Sequence, residues 1–120
     1  MNTTGHPESS FENLLVWQRA QALSVEVYRL LSDCRDWGFK DQVTRSANSI
    51  ADNIAEGCER MGKAEYRYFV SIAKGSAGET RSQIRRAQAL QYISLADASR
   101  LINELKEISR MLHGLHQKLK

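Results

Sequence analysis

Proline is almost missing from this chain of 120 residues: the only one is Pro7. Nothing after that position therefore forbids long uninterrupted helices. Cysteine is scarce as well. Cys34 and Cys58 are too few for a disulfide framework, and without a secretion signal they are expected as reduced, half-buried thiols. Histidine occurs three times, at His6, His113 and His116. With no CxxC or HxxxH pair in the chain, no metal site and no cofactor is expected. His113 and His116 fit the end of a helix, where positive charge is favoured. No apolar run approaches the ~20 residues a membrane helix needs. The polar start MNTTGHPESS is not a signal peptide, so the expectation is a cytoplasmic protein with no membrane partner.

What is present fits one domain with one core. Lys and Arg number 17 against 14 Asp and Glu, a net charge of +3 that permits a nucleic-acid partner without requiring one. Residues 1–10 read as a flexible N-terminal tail, with Ser9 or Ser10 available to cap a helix from Phe11. Residues 11–120 read as a helical domain built on four apolar stripes. The first is Val16, Ala20, Leu23, Val27, Leu30 and Cys34, broken by the DWG of Asp36, Trp37 and Gly38. The second is Val43, Ala47, Ile50, Ile54 and Gly57, ending at CERMG. The third is Phe69, Ala73, Ser76, Thr80, Ile84, Ala87 and Gln91. The fourth is Leu101, Leu105, Ile108, Leu112, Leu115 and Leu119. No segment alternates with strand period. Short connections between helices of ~20 residues predict an all-α fold, an antiparallel up-down-up-down four-helix bundle.

The second stripe runs through RSANSIADNIAEG at residues 45–57, which is rich in small and polar side chains. Beside its core face lie a small column, Thr44, Asn48, Ala51 and Ala55, and a polar one, Gln42, Ser46, Ser49, Asn53, Glu56 and Arg60. Small residues let a second backbone approach, and the third helix offers Gly75, Ser76, Ala77 and Gly78. Glycine inside a helix costs ~1 kcal/mol against alanine, so both glycines are expected to serve packing. In a hairpin turning near residues 59–62, Ala47 faces Gly75 and Ala51 faces Ser71. The polar column has two readings. It is a solvated rim, or a hydrogen-bond seam in which Asn53, Glu56 and Glu79 meet a partner helix, with Arg60 and Arg45 as the nearest donors. A catalytic pair of Glu56 with Glu79 lacks any nucleophile, metal ligand or phosphate loop, so no enzyme is expected.

Two further columns point outward. Trp17, Gln21, Ser24, Tyr28 and Leu31 form a spare face on the first helix, suited to a subunit contact in a homo-oligomer. The interface residues expected are Trp17, Gln21, Tyr28, Asn53 and Glu56. On the third helix Lys63, Arg67, Lys74, Arg81 and Arg85 fall in one sector ~33 Å long, interrupted by Val70, Gly78 and Gln88 and by no acid. Arg86 lies beside this row and Arg60 precedes it. Such a row either solubilises an exposed face or contacts phosphates, which supplies affinity without reading sequence. Tyr66 and Tyr68 flank its start, though Tyr66 points toward the core stripe.

FENLLVWQRA, QVTRSANSIADNIAEG, the following CER and FVSIAKGSAGE resemble the four-helix bundle proteins encoded in 23S rRNA intervening sequences. That family is related to the accessory variability-determinant proteins of diversity-generating retroelements. The resemblance spans nearly the whole chain after the tail. Ala51 stands where relatives commonly carry proline, and GETRSQIRRA is more basic than usual. The resemblance implies a pentameric ring of bundles, no established catalysis, and a role tied to structured RNA or to a reverse transcriptase. Residues and resemblance together predict a non-catalytic homo-oligomer binding nucleic acid, RNA rather than DNA, through Arg60, Lys63, Arg67, Lys74, Arg81, Arg85 and Arg86. The alternative is an adaptor ring that docks an enzyme such as a reverse transcriptase.

Overall fold

The structure is a computed structural model and describes residues 10–120. Apart from Ser10, the expected tail lies outside the described residues. Ser10 caps a 3-10 turn, Phe11–Asn13, by accepting from the Glu12 amide at 3.2 Å. Four helices follow: α1 (Leu15–Leu30), α2 (Trp37–Cys58), α3 (Lys63–Ala89) and α4 (Leu95–Lys118). The described residues contain no strand, so the fold is all-α.

The helix ends correct three expectations. The first helix starts at Leu15 rather than Phe11, because the turn and an extended Leu14 intervene. Trp37 and Gly38 do not break a helix but open α2, with Asp36 as its cap, accepting from the Phe39 amide at 3.2 Å. The break is the preceding segment, residues 31–36. Gln91, expected in the third stripe, lies beyond α3 with φ of 63°. The Tyr92 amide reaches back to the Ala87 carbonyl at 2.8 Å and the Gln91 amide to Gln88 at 3.0 Å, closing the helix end on a left-handed residue. Ser94 then caps α4 through the Asp97 amide at 3.0 Å.

Each helix packs on those before and after it, and α1 also packs on α4, while no Cα of one diagonal partner comes within 8 Å of the other's. Along α2 and α3, Ser46 meets Thr80 and Ser49 meets Ser76. Between α1 and α4, Arg19 pairs with Glu104 and Glu26 with Arg100. In both pairs the numbers rise on one helix as they fall on the other, consistent with an up-and-down course.

All five residues of the second stripe are buried. Full burial of an aliphatic side chain such as Ile50, Ile54, Leu105 or Ile108 contributes ~1.5–3 kcal/mol. The stripes on α1 and α3 are each displaced at one point. Leu31 is 1% exposed and Leu30 only half-buried; Val70 is fully buried and Phe69 half-buried. Cys34 and Cys58 are half-buried and stand at opposite ends of α2, too far apart for a bridge between them.

The small residues of α2 do admit α3 closely, but at Gly57. A Cβ there would lie 2.8 Å from Phe69 Cβ, 3.0 Å from Tyr66 Cδ1 and 3.2 Å from the Tyr66 carbonyl oxygen. Gly75 and Gly78, expected at this contact, face open space: a Cβ on either would meet nothing within 4 Å. Ala73, Ser76, Ala77 and Thr80 are the buried small side chains of α3 instead. Part of the polar column is a seam, though not through the residues expected. Ser46 donates to Gln83 Oε1, Thr80 Oγ1 lies 2.9 Å from Ser46 Oγ, and the Ser49 and Ser76 hydroxyls are 2.8 Å apart. Asn53 turns back to the Ser49 carbonyl and hydroxyl, each at 2.8 Å.

Candidate nucleic-acid interface

α3 carries Lys63, Arg67, Lys74, Arg81, Arg85 and Arg86 against only Glu65 and Glu79. The expected row is present, but it is not a free-standing outer face. Val70, from the same sector, is fully buried, and Arg67 and Arg81 are half-buried. The row therefore follows the edge of the core beside α4. There Arg67 donates to the Leu119 carbonyl at 2.8 Å, placing a cation on the negative end of α4.

Acidic partners are distributed unevenly. On the α1–α4 side, Arg19 holds Glu104 with two bonds of 2.6 and 2.8 Å, and Arg100 bridges Glu26 and Asp97. The Arg19 guanidinium, chiefly by hydrogen bonding, holds the Glu104 carboxyl below its ordinary value. On α2, Arg45 pairs with Asp41 at 2.9 Å. By contrast Lys63, Lys74, Arg81, Arg85 and Arg86 form no ion pair among the described residues. Arg60 differs from them. It bonds Glu56 at 2.7 Å, approaches Glu65 at 3.7 Å and lies over the Phe69 ring at 4.9 Å. Arg60 is thus engaged locally rather than presented with the row.

Two grooves flank α3. Between α3 and α4, Val70, Ser71, Lys74, Gly75, His113, His116 and Gln117 line about 480 Å³ with no carboxylate among them. Desolvation, followed by Lys120, Arg67, His113 and Lys74, depresses the His116 pKa below 6.5. Between α2 and α3 a more polar groove of about 570 Å³ holds Arg86 with Arg45 and Glu79. Arg86 therefore belongs to the opposite flank from Lys74. Glu56 and Glu79 are not brought together either. Glu79 stands level with Ser46, and Glu56 is about 15 Å further along α2 at 1.5 Å per residue.

A model of the 23S rRNA-intervening sequence protein matches residues 12–114. The chain belongs to that family. No curated protein matches it. Among solved structures it is similar to a protein of unknown function from the S23 ribosomal protein family of Bacteroides thetaiotaomicron VPI-5482. The TM-score is 0.80 at 23% identity, covering 85% of this chain and 98% of that one, a likeness of fold alone. Neither description names a catalytic activity.

Within this family member, the face expected between subunits is partly used inside the chain. Trp17 is half-buried and meets Phe11 edge-on at 5.1 Å between centroids. Ser24 is buried against Asn48, which also donates to the Tyr28 hydroxyl at 2.8 Å. Leu31 is core. Gln21 is exposed and Tyr28 is 47% exposed. Tyr66 is half-buried, and desolvation raises its pKa above the ordinary tyrosine value; Tyr68 is exposed. The sequence reading omitted His113, His116 and Lys120 from the basic face. The histidines' spacing marks a helix end, and only the packing of α4 on α3 brings those two to Lys74. Among the described residues no helix is long and apolar enough to cross a membrane, and no group of His, Cys, Asp or Glu is placed to hold a metal.

Proposed function

We propose that the protein is a non-catalytic, up-down-up-down helical bundle that binds structured RNA through the basic row of α3. Lys63, Lys74, Arg81 and Arg85 supply the phosphate contacts, with Arg67 at the row's edge. The observation carrying this reading is that Lys63, Lys74, Arg81 and Arg85 have no carboxylate partner among the described residues, whereas Arg19 and Arg100 on the α1–α4 face pair with acids. Unpaired cations set along one helix attract a polyanion, and their contacts with phosphate release counterions. Assembly of several copies, a pentamer by family resemblance, would repeat this modest site and multiply its affinity through local concentration. Exposed Tyr28 and Gln21 leave room for such a contact.

Salt titration of RNA binding tests the reading. Each phosphate contact contributes ~0.7–0.9 to the slope of log affinity against log salt, so Arg81→Ala with Arg85→Ala should flatten it by ~1.5. A double variant that binds RNA like the parent at every salt concentration refutes the row. Light scattering tests assembly: a monodisperse species of the 13.6 kDa single-chain mass removes it. The second reading, an adaptor that docks a partner enzyme such as a reverse transcriptase, draws on the exposed apolar side chains Met61 and Tyr68 near the α2–α3 turn. It predicts partner binding that persists in high salt.

A further inference from the structure

The groove between α3 and α4 has features that solubility does not demand. Lys74 lines it together with two histidines contributed by the neighbouring helix, and among the described residues no acid lines the space. Gly75, at its edge, leaves the surface open, since a side chain there would find nothing within 4 Å. Arg67, engaged on the Leu119 carbonyl, offsets the negative end of α4 that would otherwise repel an anion.

We propose that this groove seats a phosphodiester of bound RNA among Lys74, His113 and His116, and that the His116 imidazole makes RNA affinity depend on proton uptake. The inference rests on the RNA-binding reading above and adds to it a specific seat and a pH response.

The charges acting on His116 define the response. Arg67 and Lys74 act from α3, His113 from its own helix, and Lys120 from just beyond it. All are cationic or become so on protonation, and together with desolvation they hold His116 below its ordinary 6.5 in the unbound protein. A phosphodiester entering the groove brings the missing opposite charge and raises that value. The bound state then holds more protons than the unbound one. Affinity therefore rises as pH falls through the bound-state value, and levels off below the unbound one. A shift of one unit at His116 corresponds to about tenfold in affinity.

The assay is fluorescence anisotropy with a labelled 20-nucleotide oligo(U), whose uracil does not titrate in this range, at pH 7.5 and 5.5 and constant ionic strength. The expected result is binding about five- to tenfold tighter at pH 5.5. His113→Gln with His116→Gln should lose the pH response, with circular dichroism confirming the fold. The chain has only one further histidine, His6, so His6→Gln should leave the response intact. Binding that does not change with pH, or a double variant that keeps the response, overturns the seat while leaving the α3 row standing. No oligo(U) binding at either pH overturns the seat, and the salt titration with structured RNA decides the α3 row separately. A poly-glutamate of similar charge that binds as tightly, with the same pH response, overturns the RNA assignment in favour of an acidic protein segment.

Discussion

Three glycines inside helices offer the same substitution with opposite outcomes. Alanine in place of glycine gains ~1 kcal/mol of helix propensity wherever the added methyl finds room. At Gly75 and Gly78 it meets nothing within 4 Å, so each variant should be stabilised by about that amount. At Gly57 the methyl would sit 2.8 Å from Phe69 Cβ, about 0.6 Å short of the 3.4 Å where ordinary contact begins. No side-chain rotation relieves this, because that Cβ is fixed to the α3 backbone and the Tyr66 carbonyl oxygen is 3.2 Å away. The helices must part. Overpacking of this kind costs ~1–3 kcal/mol, which cancels the propensity gain or leaves a net loss of up to ~2 kcal/mol. Urea denaturation followed by circular dichroism, at one protein concentration throughout, reads all three as midpoint shifts at constant slope. A Gly57→Ala protein stabilised by ~1 kcal/mol, like the other two, would refute the close approach of α2 and α3. Loss of stability at Gly75 or Gly78 would refute their openness, and a simultaneous drop in particle mass would locate a second copy there.

The left-handed residue after α3 gives another test. Gln91→Gly should stabilise by ~1 kcal/mol, since glycine adopts positive φ without the Cβ penalty; a thermal midpoint unchanged or lowered would count against the helix-end geometry. Acid should weaken the α1–α4 contact. Because Glu104 sits below its ordinary 4.5 when folded, its pairing with Arg19 stabilises above that value and is lost as pH falls through the lower folded value. Glu104→Gln should flatten the loss of stability below pH 4.5, and an acid limb identical to the parent's would contradict the pairing.

The fold was legible where one face of a helix meets one core. Val43, Ala47, Ile50 and Ile54 keep an unbroken rhythm and are all buried. Extrapolation failed where a helix ends. α1 stops at Leu30, so the chain turns and Leu31 enters the core in its place. It also failed on α3, which packs against both α2 and α4 and so buries a wider arc than one stripe describes. Val70 and Gln83 are buried as a result, and the basic row becomes the margin of a contact. The candidate site was legible as a list of cations, because charge spacing on one helix can be counted. Its partners were not. That Arg67 reaches Leu119, that Arg60 turns to Glu56, and that two histidines join Lys74 all depend on which helix lies alongside.

The hydroxyl and amide groups shared by Ser46, Thr80 and Gln83 bear on which length changes the gene can tolerate. An added residue in the connection at residues 59–62 displaces only a surface turn, at a small cost in loop entropy. The same addition within α2 or α3 between these partners rotates them by about 100°, stranding buried polar atoms at ~1–3 kcal/mol apiece. Insertions and deletions should therefore accumulate in the turn, while the span from Ser46 to Cys58 and its counterpart from Lys63 to Gln83 stay fixed in length even as their aliphatic residues drift.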